Sequence, residues 1–245
     1  MNFTSDNACG VPPEMLTAIS AANEGAVASY GEDQWTGRLE TALAEVFAHE
    51  VAVFPVMTGT AANALALSTL VPPHGVIFCH RDAHIATDEC GAPELFTQGA
   101  RLATLEGAHG KISPEAIEDA IGNISLGSVH HSQPAAVSIA QVSEMGTCYR
   151  PGELRAIADE AHRHGMKLHM DGARLANALA FLGCSPAEVT WKAGVDALSL
   201  GMTKNGALSA EAVVFFRGGD VGDFAFRRKR FGHLISKMRF VSAQL

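Results

Sequence analysis

Leu168-His169-Met170-Asp171-Gly172-Ala173-Arg174 is the stretch on which the fold turns. Lys167 to Met170 has the composition of a short buried strand, and it runs straight into an acid. Gly172 then opens a helical pattern from Ala173 to Leu182. In an open α/β sheet the carboxyl ends of the strands border the crevice where ligands bind, so an Asp at such an end points at a ligand. Downstream, Ala197 to Leu200 is a second apolar strand, and Lys204 lies just beyond it in Gly201-Met202-Thr203-Lys204-Asn205-Gly206. One acid and one lysine, each just past a buried strand, are placed to face each other across a pocket.

Taken singly, Asp171 is better explained as the cap of the following helix, and Lys204 as a solvated loop lysine. Together they favour a cofactor. A lysine amine condenses with an aldehyde to give a Schiff base. Pyridoxal phosphate (PLP) carries that aldehyde, and an acidic partner keeps its ring nitrogen protonated so that the ring accepts electrons from a carbanion.

Working back from this pair, Val51 to Val56 is an apolar strand followed by Thr58-Gly59-Thr60-Ala61-Ala62-Asn63 and an Ala/Leu helix to about Leu70. Strand, glycine turn and helix start present free N–H groups and a positive dipole end to an anion. Thr58 and Thr60 add hydroxyls. The turn is also a plain N-cap. It is neither G-x-x-x-x-G-K-[ST] nor G-x-G-x-x-G, which disfavours nucleoside triphosphates and dinucleotides.

Gly75 to Cys79 is a further strand, followed by His80-Arg81-Asp82-Ala83-His84 and Glu89. His80, His84 and Glu89 resemble a metal set, but the Glu of H-E-x-x-H is lacking and a metal is disfavoured. A histidine stacked on a flat cofactor is the other use. Arg101–Leu105, Ala135–Val142 and Ala212–Phe216 are strands, and Ser113-Pro114-Glu115 and Gly152–Gly165 begin or form helices. Ser143 to Thr147 follows a strand and falls at the ligand end. Thr36 is expected to cap a helix bearing Leu39, Leu43, Val46 and Phe47. An earlier helix carries Met15, Leu16 and Ile19 on one face, and Tyr30, in the turn between, is a packing residue or an active-site phenol. From Asp220 onward a single helix carries Phe224, Phe231, Leu234, Ile235, Met238 and Val241.

The alternation implies an α/β fold: a mostly parallel sheet of the seven-stranded type with helices on both faces. Ser209-Ala210-Glu211 is too short for a crossover helix, so the last two strands run antiparallel. The 245 residues are 47% hydrophobic and 18% charged, enough for a sizeable core. The net charge of −8 gives no reason to expect nucleic acid, and Arg227-Arg228-Lys229-Arg230 is a short solvated face. Five scattered cysteines without a C-x-x-C pair fit reduced thiols in a cytoplasmic protein. No apolar run reaches the length of a membrane span, and no signal peptide is visible.

Phe3-Thr4-Ser5-Asp6-Asn7, Thr58-Gly59-Thr60-Ala61-Ala62-Asn63, Ala83-His84, His169-Met170-Asp171-Gly172-Ala173-Arg174 and Thr203-Lys204-Asn205-Gly206 stand in the order seen in low-specificity L-threonine aldolases. The chain resembles this family, part of the β-eliminating-lyase group of fold-type-I PLP enzymes, from residue 2 to about 244. The resemblance implies that Lys204 holds PLP covalently, that Asp171 pairs with the pyridinium nitrogen, and that His84 stacks on the ring and helps proton transfer at the substrate hydroxyl. It implies that Thr58, Gly59 and Thr60 hold the phosphate, and that Ser5, Arg174 and Tyr30 surround the substrate, with Arg174 and Ser5 on its carboxylate. Arg239, or Arg230, matches a basic residue that reaches the phosphate of a neighbouring subunit, so a homodimer or homotetramer is expected.

Many relatives carry Glu-Asn-Thr-His where this chain has Ser143-Glu144-Met145-Gly146. The resemblance divides the chain into an N-terminal segment, 1–30, and a PLP-binding large domain, 31–245, with the C-terminal small domain missing. The implied activity is cleavage of L-threonine, L-allo-threonine and related β-hydroxy-α-amino acids to glycine and an aldehyde. Another PLP reaction (β-elimination, racemisation or transamination) and a catalytically incompetent remnant remain open at this point.

Overall fold

The structure, a computed structural model, describes residues 4–216 and 221–245. Phe3 of the N-terminal motif and Asp220, the expected start of the last helix, lie outside the described residues. In chain order the elements are α1 Pro13–Ala22, α2 Gln34–Phe47, β1 Ala52–Val56, α3 Gly59–Leu70, β2 Gly75–His80, α4 His84–Thr87, α5 Ala92–Phe96, β3 Arg101–Leu105, α6 Pro114–Gly122, β4 Gln133–Ala140, α7 Pro151–Arg163, β5 Lys167–Gly172, α8 Leu175–Leu182, β6 Ala197–Gly201, β7 Glu211–Phe215, α9 Phe224–Arg230 and α10 Arg239–Ser242.

The seven strands form one sheet in the order β1-β7-β6-β5-β4-β2-β3. Pairing is parallel from β6 through β5, β4 and β2 to β3. Only β7 runs against its neighbours β1 and β6. Both the mostly parallel sheet and the antiparallel final pair agree with the sequence.

Strand alternation sorts side chains between two cores. Val137, Ile139, Leu168, Met170, Leu198 and Val214 face one layer, packed with Leu39 and Phe47 of α2, Ile117 of α6 and Leu154 and Ile157 of α7. The opposite face meets α3, where Ala61, Ala62, Leu65 and Ala66 pack on Ala197, Val213 and Phe215. Helix α3 is buried over Ala61–Ser68, and its small residues let the backbone approach the sheet. Because Leu168 and Met170 take the first face, His169 and Asp171 must take the α3 face. That period-two rule places Asp171 under the start of α3, at the carboxyl end of the sheet.

Several local expectations change. Helix α2 is capped by Asp33, whose Oδ1 accepts from Trp35 N and Thr36 N at 3.0 Å each. Thr36 sits inside the first turn and its hydroxyl meets Asp33 and Ser242 instead. Strand β5 runs on to Gly172 and α8 starts at Leu175, because Asp171 Oδ1 accepts from Ala173 N at 3.0 Å and holds a turn there. The last helix is broken into α9 and α10. The break contains Gly232 at φ +80°, outside the helical region. Two short helices, α4 and α5, fill the β2–β3 connection where no helix was expected. On α1, Met15 packs against the cluster that contains Met238 and Val241, whereas Leu16 points to solvent, 52% exposed.

Candidate active site

A cavity of about 290 Å³ opens at the carboxyl end of the sheet. Its walls are the turn from Met57 to Thr60, Asn63 of α3, His84 and Glu89 of the β2–β3 connection, Glu144 after β4, Asp171 and Arg174 after β5, and Lys204 after β6, with Asn7 beside them. Of the residues singled out in the sequence, the fold brings Thr58, Gly59, Thr60, His84, Asp171, Arg174 and Lys204 onto this one cavity.

The α3 start has the geometry of an anion site. Thr58 Oγ1 caps the helix by accepting from Ala61 N at 3.1 Å. The N–H groups of Gly59 and Thr60, also in the first turn, donate to no atom among the described residues. A Cβ placed on Gly59 would meet nothing within 4 Å, so the approach is open.

Asp171 is fixed at both oxygens. Oδ1 takes Ala173 N, which is the capping role considered for it, and Oδ2 accepts from Asn63 Nδ2 at 2.9 Å. Asn63 Nδ2 also donates to Glu89 Oε1 at 2.8 Å, and that same oxygen lies 2.9 Å from His84 Nδ1. A chain of polar groups therefore runs Asp171–Asn63–Glu89–His84. Oε1 already accepts from an amide, so it acts as acceptor, and His84 Nδ1 carries the proton. His84 Nε2 is left as a lone pair with no partner among the described residues. The Glu89 hydrogen bond raises the His84 pKa above its usual 6.5, against the opposing effect of burial. Burial raises the Glu89 pKa above 4.5, against the hydrogen bonds from His84 and Asn63. Asn63 Oδ1 and Glu89 Oε2 are buried without partners.

Beneath Asp171 on the same strand face, His169 spans three strands. Its Nδ1 meets Ser138 Oγ and its Nε2 meets Ser199 Oγ, both at 2.9 Å. Burial lowers its pKa to about 4, against the pull of Asp171, so the imidazole is neutral and adds no charge under the acid.

The Lys204 turn is held by a second buried acid. Glu211 Oε2 accepts from Met202 N at 3.1 Å, and burial raises the Glu211 pKa above 4.5. Gly201 is required here, since a Cβ would lie 2.5 Å from Ala173 Cα and 3.0 Å from Glu211 Oε2. The strand ends carrying Asp171 and Lys204 are thereby packed backbone to backbone. Arg174 meets Asp6 in a bidentate pair, Nε to Oδ2 at 2.7 Å and Nη2 to Oδ1 at 3.2 Å.

Three candidates lie off this cavity within the chain. Ser5 accepts from Asn7 N at 3.1 Å and turns the segment so that Asp6 and Asn7 approach the site instead. Tyr30 is 46% exposed, with Lys229 Nζ 4.7 Å from its ring centre. Arg239 Nη1 donates to Gly25 O at 3.1 Å. His80 turns away from His84, meeting Gly107 O and Asp82 N, so the three-residue metal set does not assemble. No group of three His, Cys, Asp or Glu among the described residues is arranged to hold a metal ion. Asn63, Glu144 and Glu211 enter the site without having been assigned a role from sequence. The only sequence signals were their positions one turn into α3, after β4 and at the start of β7.

An acid and a lysine on adjacent strand ends, with an open helix start beside them, define the class. The chain belongs to the beta-eliminating lyase family, whose model matches residues 2–244. It is 46% identical over 241 residues to the low specificity L-threonine aldolase of a Pseudomonas species, covering 98% of this chain and 69% of that protein. The Pseudomonas aeruginosa protein of the same name gives the same identity and coverage. The solved threonine aldolase of Leishmania major superposes with a TM-score of 0.91 at 28% identity, over 99% of this chain and 70% of that one.

Proposed function

We propose that the chain is a PLP-dependent aldolase that cleaves L-threonine, L-allo-threonine and related β-hydroxy-α-amino acids to glycine and an aldehyde. The observation that carries this reading is the placement of Asp171 and Lys204 on adjacent strand ends around a cavity that α3 enters with two uncommitted N–H groups. The residues fit the cofactor on their own chemistry. Unpaired donors at a helix start suit a phosphate, a carboxylate held at the end of β5 suits a pyridinium, and the orphaned Asn63 Oδ1 leaves a buried acceptor beside them. Gly59 and Thr60 would hold the phosphate, Asp171 the ring nitrogen, and Lys204 the aldehyde carbon. When bound, PLP supplies the electron sink for the carbanion left at Cα.

The chain's own groups account for the remaining steps. His84, with its proton fixed on Nδ1 by Glu89, offers Nε2 to the substrate β-hydroxyl as general base. Loss of that proton drives the Cα–Cβ cleavage. Arg174 receives the substrate carboxylate. The 46% identity to a threonine aldolase over nearly the whole chain supports this substrate class. The expected setting is a cytoplasmic homodimer or homotetramer in which Arg239, or Arg230, of one copy reaches the phosphate of another. The five free cysteines support a reducing compartment.

Incubation of the PLP-loaded chain with L-threonine tests the proposal. Equal release of glycine and acetaldehyde, abolished in Lys204→Ala, is expected. Release of ammonia and an oxo acid, or appearance of D-allo-threonine by inversion at Cα, would assign a different PLP reaction. Bound PLP with no turnover would identify a remnant.

A further inference from the structure

Arg174 stands among three carboxylates. Asp6, Glu144 and Asp171 all act on its charge, yet only Asp6 is in hydrogen-bonding geometry with it. The pair uses the side-on edge of the guanidinium, Nε and Nη2, leaving Nη1 without a partner among the described residues. Both side chains are about one-third exposed. Asp6 lies in the turn Asp6–Ala8, which packs on the Thr203–Asn205 turn that carries Lys204. Burial opposes ionisation of Asp6, but Arg174 and then Lys204 hold its pKa below the usual 3.8, so it stays charged across the neutral range.

A guanidinium released from Asp6 would be drawn to Glu144 or Asp171. On Glu144 it would no longer be aimed at the space above Lys204. Asp171 has both oxygens already held, by Ala173 N and Asn63 Nδ2, which leaves Glu144 as the carboxylate that would take it. We propose that Asp6 is a positioning residue that aims the free edge of Arg174 at the substrate carboxylate, an inference that rests on the function proposed above. The planar fork makes this division possible, because one edge binds Asp6 while the other remains available to a second carboxylate. Substrate specificity follows: the subsite takes an α-carboxylate and discriminates against the corresponding amide.

The test uses the PLP-loaded chain, titrated with glycine and with glycinamide by the change in cofactor absorbance, alongside the kinetics of L-threonine cleavage. Asp6→Ala is expected to weaken glycine binding and raise KM for threonine by about tenfold, the loss of roughly one charge-assisted hydrogen bond. Glycinamide binding and kcat are expected to stay within about threefold. Asp6→Glu restores the carboxylate and most of the affinity. Asp6→Ala combined with Glu144→Gln regains part of it, because the carboxylate that acts most on Arg174 after Asp6 has lost its charge. Unchanged or tighter glycine binding in Asp6→Ala overturns the inference, the latter by showing that Asp6 competes with the substrate. Equal losses for glycine and glycinamide also overturn it, since they indicate general disruption. A wild-type chain that binds glycine but cleaves no threonine refutes the proposed function, while the glycine titrations still decide the role of Asp6.

Discussion

Glu89→Gln keeps the shape of the side chain and removes its charge, which isolates the electrostatic role of the buried acid behind His84. Glu89 has a fully buried side chain and holds His84 Nδ1 at 2.9 Å. A glutamine oxygen still accepts from both Nδ1 and Asn63 Nδ2, so the imidazole keeps its orientation. A hydrogen bond to a charged group contributes ~1.5–3 kcal/mol and a neutral one ~0.5–1.5, a difference of about 1.25 kcal/mol between midpoints, close to tenfold in rate. The pH profile gives the sign. Because Glu89 raises the His84 pKa above 6.5, the acid limb of kcat in the wild-type chain is expected above that value, with activity rising as His84 loses its proton. In Glu89→Gln the charge is gone while burial remains, so the limb moves to lower pH. Steady-state cleavage of L-threonine from pH 5 to 9 should show a plateau about tenfold lower and a midpoint displaced toward acid. A midpoint that stays put or moves toward alkali would refute the assignment of His84 as the base held by Glu89.

Three further substitutions probe the frame of the site. Asn63→Ala removes the donor shared by Glu89 and Asp171 and leaves two carboxylates facing each other; urea unfolding should show a loss of about 2–4 kcal/mol, and a loss under about 0.5 would contradict the network. Gly201→Ala drives a Cβ to 2.5 Å from Ala173 Cα; destabilisation of about 1–3 kcal/mol should come with weaker PLP retention in dialysis, whereas wild-type retention would show that the Lys204 turn tolerates the shift. Tyr149→Phe deprives the buried Ile112 N–H of its acceptor at 2.8 Å; thermal and urea denaturation should report a cost of about 1–3 kcal/mol with threonine cleavage unaltered, and a large fall in kcat would tie that end of β4 to the chemistry.

The parts of the site legible in the sequence are those that one strand and its following turn create. Asp171 and Lys204 announce themselves because each apolar strand ends at a polar residue, and parallel order sends both ends to the same side. Thr58 to Thr60 is legible for the same reason. Glu89 was visible only as a possible metal ligand, and its place behind His84 was not, because its burial depends on α4 and α5 folding the β2–β3 connection back over α3. Glu211 looks like a turn residue in Ser209-Ala210-Glu211, and only the antiparallel return of β7 carries it under Met202. Ser5 and Asp6 differ by one position, and a single helical turn at residues 6–8 decides which of them meets Arg174. At the far end, the apolar spacing from Phe224 to Val241 suits one helix, and a glycine in a left-handed conformation divides it.

Lys204 and Asp171 together form the proposed PLP site, and a chemical label tests it. The purified chain is incubated with PLP, reduced with borohydride, digested and mapped by mass. A pyridoxyl modification on the peptide containing Lys204, absent in Lys204→Ala and retained more weakly in Asp171→Ala, is the predicted result. Modification spread over surface lysines, or none at all, would contradict the account.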